Sequence, residues 1–193
     1  MSSDAALYLS VTDFAASTPW LAGLVIAFSV YGLALLVPAF MAMLWWAKSR
    51  GAAAVAAVVW VPCAVVLAYV IDLVVKHLVA EVRPCRVVAG SHPLLPCDPP
   101  TDFSFPSNHA AMVAAFAAAV FLVRRGWGVI AGVFALLMAA SRVYVGAHYP
   151  HDVLAGLVLG AVVGLLGVAV RVRTTRLVDR VLRRTRLVTN PGN

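Results

Sequence analysis

Residues 52–75 read AAAVAAVVWVPCAVVLAYVIDLVV, an unbroken apolar run in which Asp72 is the single charge. Roughly 20 such residues are what a helix needs to cross the hydrocarbon of a bilayer. Working outward from this run, four more of the same character occur at about 20–47, 109–123, 127–145 and 152–170, the one at 109–123 being the shortest. The chain has 193 residues, 63% of them hydrophobic and only 12% charged, which is far from the balance of a soluble domain. Long continuous runs of Ala, Leu and Val predict helices rather than the alternating ten-residue strands of an outer-membrane barrel. The expected fold class is therefore all-α, an integral membrane bundle of about five transmembrane helices.

Ahead of the first span, Leu7, Val11 and Phe14 recur at helical spacing with Asp4 and Asp13 nearby, which predicts a short helix lying in the interface. A cleavable signal peptide would open with basic residues, and there is none before Lys48. Residues 1–171 read as one membrane domain and 172–193 as a basic tail. Leu177, Val178, Val181 and Leu182 stand at helical spacing among the tail arginines, so an amphipathic helix on an anionic inner leaflet is expected. The tail has no aromatic residue to stack on bases, and nucleic acid is not an expected partner. Gly156, Gly160 and Gly164 repeat every four residues along the fifth span, a pattern that lets a neighbouring helix approach closely within the bundle. Oligomeric state is left open by the sequence.

Basic residues flanking short loops stay on the cytoplasmic side. Lys48 and Arg50 follow the first span, Arg124 and Arg125 the third, and seven arginines from Arg171 to Arg186 the fifth, all on one side. The amino terminus, the loop from Lys76 to Asn108 and the loop from Ala147 to His151 then fall outside, with the tail in the cytoplasm. Topology thus accounts for eleven of the fifteen basic residues and leaves Lys76, Arg83, Arg86 and Arg142. Cations placed against the orientation bias point to an anionic ligand.

Three strings hold most of that chemistry: Lys76 to Pro84 (KHLVAEVRP), Pro106 to His109 (PSNH) and Ser141 to Asp152 (SRVYVGAHYPHD). Lys76 and Arg83 are seven positions apart, two helical turns, and would share a face if the second span continued that far; Pro84 opposes helical geometry at Arg83. Ser107 or Asn108 can cap the third span, whose first-turn N–H groups would form an anion seat with His109 at its mouth. Arg142 ends the fourth span, and Asp152 stands four residues beyond His148 in the first turn of the fifth, which Pro150 helps to start. A carboxylate beside one imidazole nitrogen fixes the tautomer and leaves the other nitrogen free to attack. His151 is expected to be structural or lipid-facing, because it leaves the helix in another direction from Asp152. Asp72, one turn before Lys76, is expected to pair with it or with another helix-end polar group.

In order, the strings follow Lys-x6-Arg-Pro, Pro-Ser-x-His and Ser-Arg-x5-His-x3-Asp, a pattern that resembles the phosphatidic acid phosphatase type 2 superfamily of membrane lipid phosphatases. The resemblance implies His148 as nucleophile through a phosphohistidine, Asp152 orienting it, and His109 protonating the leaving oxygen and then activating water. It implies Lys76, Arg83 and Arg142 as phosphate ligands, helped by Ser107 and the backbone near Asn108. Neither a cofactor nor a metal is implied, the cations standing in the place of a bound magnesium. The commonest third residue of the second string in this superfamily is Gly, and here Asn108 brings a side chain toward the phosphate. The surrounding SFPSNH of Ser104 to His109 is most like the bacterial undecaprenyl-diphosphate phosphatase branch. Hydrolysis of undecaprenyl or decaprenyl diphosphate to the monophosphate is the favoured expectation. The alternatives are a phosphomonoesterase on phosphatidic acid, phosphatidylglycerol phosphate or a decaprenyl-phosphoryl sugar phosphate, and a non-catalytic lipid-phosphate binding or transport protein. Lipid phosphate and membrane lipids are the expected partners, and the cell membrane the location.

Of the three cysteines, Cys63 lies within the second span and is expected to pack as an apolar residue. Cys85 and Cys97 fall in the external loop, where a disulfide could form and close a short ring worth about 3 kcal/mol in the chain-entropy account. A metal site of Cys85, His92 and Cys97 has no recognised ligand spacing.

Overall fold

A computed structural model describes residues 3–167. The tail at 172–193 and the boundary before it lie outside the described residues. Within them all regular secondary structure is helical, with no strand, and a long loop at 88–107 separates two of the helices. The helices are α1 (Ser3–Ser17), α2 (Pro19–Tyr31), α3 (Leu36–Lys48), α4 (Ala52–Val79), α5 (Pro84–Val87), α6 (Asn108–Val123), α7 (Arg125–Tyr144) and α8 (Pro150–Leu165). A 3-10 turn at Gly32–Leu35 joins α2 to α3. Each apolar run of the sequence forms helix within the described residues, and proline opens α2, α5 and α8, where its missing N–H costs nothing.

Among the described residues three stretches can cross a membrane by length and composition: Pro19–Lys48, Ala53–Val87 and Arg125–Tyr144. The shorter α6 and α8, 16 residues each, are apolar too. Helix α6 sits centrally against α4, α7 and α8 and buries Ala110, Ala111, Val113, Ala115, Ala119 and Val120. Lipid gives helices no hydrophobic reason to associate, so close van der Waals packing of small residues must do it. The glycines supply that packing. A Cβ on Gly156, Gly160 or Gly164 would collide with the carbonyl oxygen of Ser107, Ala111 or Ala115 respectively, so α6 and α8 run parallel, backbone against backbone. Trp60 of α4 closes the group by donating from Nε1 to the Gly164 carbonyl at 3.0 Å.

The two ends of the bundle differ in character. At one, Trp46 and Trp127 meet at 4.9 Å, with the guanidinium of Arg50 over the first ring at 5.1 Å and that of Arg124 over the second at 4.9 Å. Trp and Arg together suit a membrane–water boundary. At the other end come the last turn of α4, the first turns of α6 and α8, and the last turn of α7. Helix α1 runs over the ends of α7 and α8 there: Tyr8 donates to the Gly146 carbonyl at 3.0 Å, and Asp4 meets His151 at 2.8 Å. Its inner face is Tyr8, Thr12 and Ala15, while Leu7 and Phe14 point outward.

Two expectations about α4 need correction. Cys63 is exposed rather than packed, because the inward stripe runs through Val58, Val61, Ala64 and Ala68 and Cys63 falls off it. Lys76 and Arg83 do not share a helical face either. Helix α4 stops at Val79, Ala80 turns left-handed at φ 52°, and Arg83 is extended ahead of Pro84.

Candidate active site

The turn at Ala80 brings Lys76 and Arg83 together from outside a single helix. Both converge on one carboxylate: Lys76 Nζ is 3.1 Å from Asp102 Oδ1, and Arg83 is 2.9 Å from Asp102 Oδ2. Arg83 also meets Asp98 at 3.0 Å and donates to the Ala147 carbonyl at 2.9 Å. Although partial burial alone would raise the Asp102 carboxyl, the charges of Lys76 and Arg83 outweigh it and hold the group below the usual carboxylate range. Two cations that the sequence singles out are thus positioned by two acids it does not. Asp72 is not one of these acids. It is fully buried, and both its oxygens lack a hydrogen-bond partner, because Lys76 reaches to Asp102 instead.

His148 lies in the loop between α7 and α8 and is wholly buried. Its Nδ1 faces Asp152 Oδ2 at 3.4 Å, and its Nε2 faces Arg83 at 3.5 Å. The Asp152 Oδ2 atom is fixed in turn by the Ser104 hydroxyl, which donates to it, and by the Tyr149 N–H at 2.8 Å. Burial lowers the His148 imidazole, Asp152 opposes this, and Arg142 and Arg83 add to the lowering, which brings it to about 4. The ring is neutral at physiological pH, as a nucleophile must be.

Ser107 occupies the cap position of α6, yet its hydroxyl makes no capping bond and is buried without a partner. Its N–H donates to the Asp152 carbonyl at 3.1 Å, which ties the start of α6 to the start of α8. Asn108 turns its side chain onto the helix, accepting from the His109 N–H at 3.1 Å and so occupying one donor of the anion seat. The imidazole of His109 is within electrostatic reach of Arg142, His148, Lys76 and Arg83, and its Nδ1 is buried without a partner. Arg142 donates to the Ser29 hydroxyl at 2.8 Å, while its Nε remains unpartnered. All eight residues singled out from the sequence meet at this end of the bundle. A buried donor left unsatisfied costs about 1–3 kcal/mol. The unpartnered atoms of Ser107, His109 and Arg142 are therefore suited to ligand oxygens rather than to the protein itself.

Of the two expectations for His151, structural or lipid-facing, its contacts agree with the structural one. Its ring stacks with Phe105 at 5.6 Å and Tyr149 at 5.4 Å and contacts three carboxylates, those of Asp4, Glu81 and Asp152. Its partners Asp4 and Glu81 are 147 and 70 positions away, beyond the reach of any local pattern. Ser29, Asp98 and Asp102 were missed for the same reason, whereas Ser104 lies within a motif context already noticed.

Cys85 and Cys97 are bonded, with their Cα atoms 6.0 Å apart. This bridge begins two residues after Arg83 and ends one before Asp98, so it holds together the two segments that supply that ion pair. Maleimide applied to the intact protein should label Cys63 alone, and mass spectrometry should find Cys85 and Cys97 modified only after reduction. Labelling of either without reductant would contradict the bridge. A cavity of about 520 Å³, lined by Leu36, Met43, Trp46, Phe116, Val120 and Trp127, is apolar and away from these residues. Beside Arg83, Asp98, Arg142 and Ala147 there is a crevice of about 40 Å³.

The pattern of the PAP2 superfamily matches residues 57–176, well over half of the chain. An undecaprenyl-diphosphatase of Sulfolobus acidocaldarius is 41% identical over 106 residues, covering 54% of this chain and 50% of that protein. The decaprenylphosphoryl-5-phosphoribose phosphatase of Mycobacterium tuberculosis is 38% identical over 103 residues, covering 52% and 53%. The matched region thus spans about half the length of these curated relatives. Among solved structures, LpxE of Aquifex aeolicus superposes with a TM-score of 0.69 at 23% identity, covering 84% of this chain and 93% of that one, which is a likeness of fold. With its apolar helices and with Lys76, Arg83, His109, Arg142, His148 and Asp152 gathered at one end of them, the chain belongs to the PAP2 superfamily and is a membrane protein.

Proposed function

We propose that this protein is a membrane-embedded lipid phosphatase that hydrolyses a polyprenyl diphosphate, undecaprenyl or decaprenyl, to the monophosphate and inorganic phosphate, recycling a cell-envelope carrier lipid. The observation that carries the reading is the wholly buried His148, braced by Asp152 at 3.4 Å on one nitrogen and facing Arg83 at 3.5 Å with the other. The names of the Sulfolobus and Mycobacterium relatives favour a polyprenyl substrate.

In this reading Nε2 of His148 attacks the terminal phosphorus. A nitrogen–phosphorus bond forms as the bond to the bridging oxygen breaks, and His109 protonates that oxygen. Asp152 stabilises the positive charge that the ring acquires. Lys76, Arg83, Arg142, Ser107 and backbone N–H groups at the start of α6 hold the other oxygens and the charge they gain in the transition state. Water, deprotonated by His109, then attacks the same phosphorus, releasing phosphate and restoring His148. The 40 Å³ crevice is small, so Asp98 and Asp102 move aside as the headgroup enters. The distribution of Lys and Arg supports an extracytoplasmic face for this end of the bundle and a cytoplasmic tail.

Purified protein in detergent should release phosphate from a polyprenyl diphosphate at least about 10-fold faster, by kcat/KM, than from phosphatidic acid, phosphatidylglycerol phosphate or a decaprenyl-phosphoryl sugar phosphate. The reverse ranking would move the assignment to the better monoester. Tight binding of all these lipids with no turnover would make the protein a binder.

A further inference from the structure

His151 is held as a metal-ligating histidine is held. Asp4 meets its Nδ1 at 2.8 Å and accepts from its backbone N–H at 3.2 Å, which anchors one side of the ring and directs Nε2 away from α1. At that nitrogen stand two carboxylate oxygens, Glu81 Oε2 and Asp152 Oδ1, each 3.1 Å away. Ligand atoms of Glu81, His151 and Asp152 all lie within 4.8 Å of one another. Stacking of the ring with Phe105 and Tyr149 fixes the direction in which Nε2 points.

A second observation points the same way. The Asp152 side chain is wholly buried, and its Oδ1 has no hydrogen-bond partner. That oxygen aims at the cluster, while Oδ2 serves His148, Ser104 and Tyr149. Two carboxylate oxygens gathered on one ring nitrogen call for a positive centre among them, either a proton on Nε2 or a metal ion that displaces it. Zinc bonded to nitrogen and oxygen at about 2.0–2.2 Å in a tetrahedron sets its ligands about 3.4 Å apart, close to the 3.1 Å that separates Nε2 from each of the two oxygens. Mixed nitrogen and oxygen donors favour zinc-class ions over magnesium or calcium, and a carboxylate behind the imidazole is the usual outer partner of such a ligand.

We propose that Glu81, His151 and Asp152 form a binding site for a zinc-class divalent cation, with Asp4 as the outer carboxylate, and that its occupancy inhibits the enzyme. The site is distinct from the phosphate pocket, but the two share Asp152. A dication on Oδ1 competes for the negative charge that Oδ2 presents to His148, so the ring is less able to become positive when it is phosphorylated. The inhibitory half of the proposal rests on the phosphatase reading; the binding half does not.

The test uses the full chain in detergent, stripped with a chelator, then titrated with zinc chloride by calorimetry and assayed in parallel for phosphate release. One equivalent should bind, and saturation should slow turnover at least about 10-fold, with magnesium at the same concentration without effect. Glu81→Gln should keep its turnover without zinc, weaken zinc binding about 10–100-fold and lose the inhibition. Asp4→Asn should weaken binding in the same direction and serves if the first variant does not fold. Equal binding and inhibition in the unmutated protein and both variants would assign the zinc to other histidines and overturn the site. Binding lost in the variants without any inhibition in the unmutated protein would overturn the regulatory half. Absence of turnover on every lipid phosphate would instead sink the phosphatase reading, with calorimetry still deciding the site.

Discussion

Replacing His148 with alanine should abolish phosphate release, lowering kcat by about 10,000-fold or more, because the other pocket groups can bind and polarise the phosphate but none can take it covalently. The protein should still fold. Arg83, the group nearest Nε2, keeps Asp98, Asp102 and the Ala147 carbonyl as partners, so its charge stays satisfied. Thermal unfolding in detergent within a few degrees of the unmutated protein would separate lost chemistry from lost structure. His109→Ala completes the argument, since the proposed hydrolysis of the phosphohistidine needs that base. Rapid quenching of this variant with radiolabelled substrate should trap an acid-labile phosphoprotein, absent when His148 is also alanine. Turnover within about 10-fold of normal in His148→Ala would remove the nucleophile from the mechanism.

Gly160→Leu should prevent the bundle from forming. A Cβ at Gly160 lands on the backbone of Ala111, which cannot rotate away as a side chain could, and a leucine would force α6 and α8 apart. Overpacking a core with rotatable neighbours already costs about 1–3 kcal/mol. Here the loss should exceed that range, read as aggregation on extraction or an unfolding midpoint too low to measure. Gly132→Ala is the matched control, since a Cβ there meets nothing within 4 Å. It should unfold within about 0.5 kcal/mol of the unmutated protein. A well-behaved Gly160→Leu protein would mean that α6 and α8 are not in backbone contact.

The helices were legible because lipid imposes one rule on every residue of a span, and the runs around 52–75 and 127–145 obey it without help from the rest of the chain. The glycine repeat of α8 was legible for a similar reason: a spacing of four marks one stripe of a helix. What escaped were contacts made by loops. The spacing of Lys76 and Arg83 suggested a shared helical face, but it is the left-handed turn at Ala80 that brings them together. Asp98 and Asp102 belong to none of the sequence strings, and their partners in α4 and at Arg83 depend on how the loop folds back. Asp72 illustrates the reverse error. Proximity in sequence to Lys76 suggested a pair, yet a flexible lysine chose an acid 26 residues away. His151 was set aside for leaving the helix in another direction from Asp152, yet it reaches the other oxygen of that carboxylate as well as Asp4 and Glu81.

The two acids resting on Lys76 and Arg83 bear on how the proposed reaction would turn over. Any phosphate reaching those cations has to displace an aspartate first, so a free ion in dilute solution competes poorly. A phosphate tethered to the bilayer is confined near the pocket and rebinds many times before it diffuses off. After cleavage the lipid product keeps that advantage, whereas the liberated ion loses it at once, and Asp98 and Asp102 can swing back to expel it. The same carboxylates that weaken capture would thus keep the spent anion from clogging the catalyst.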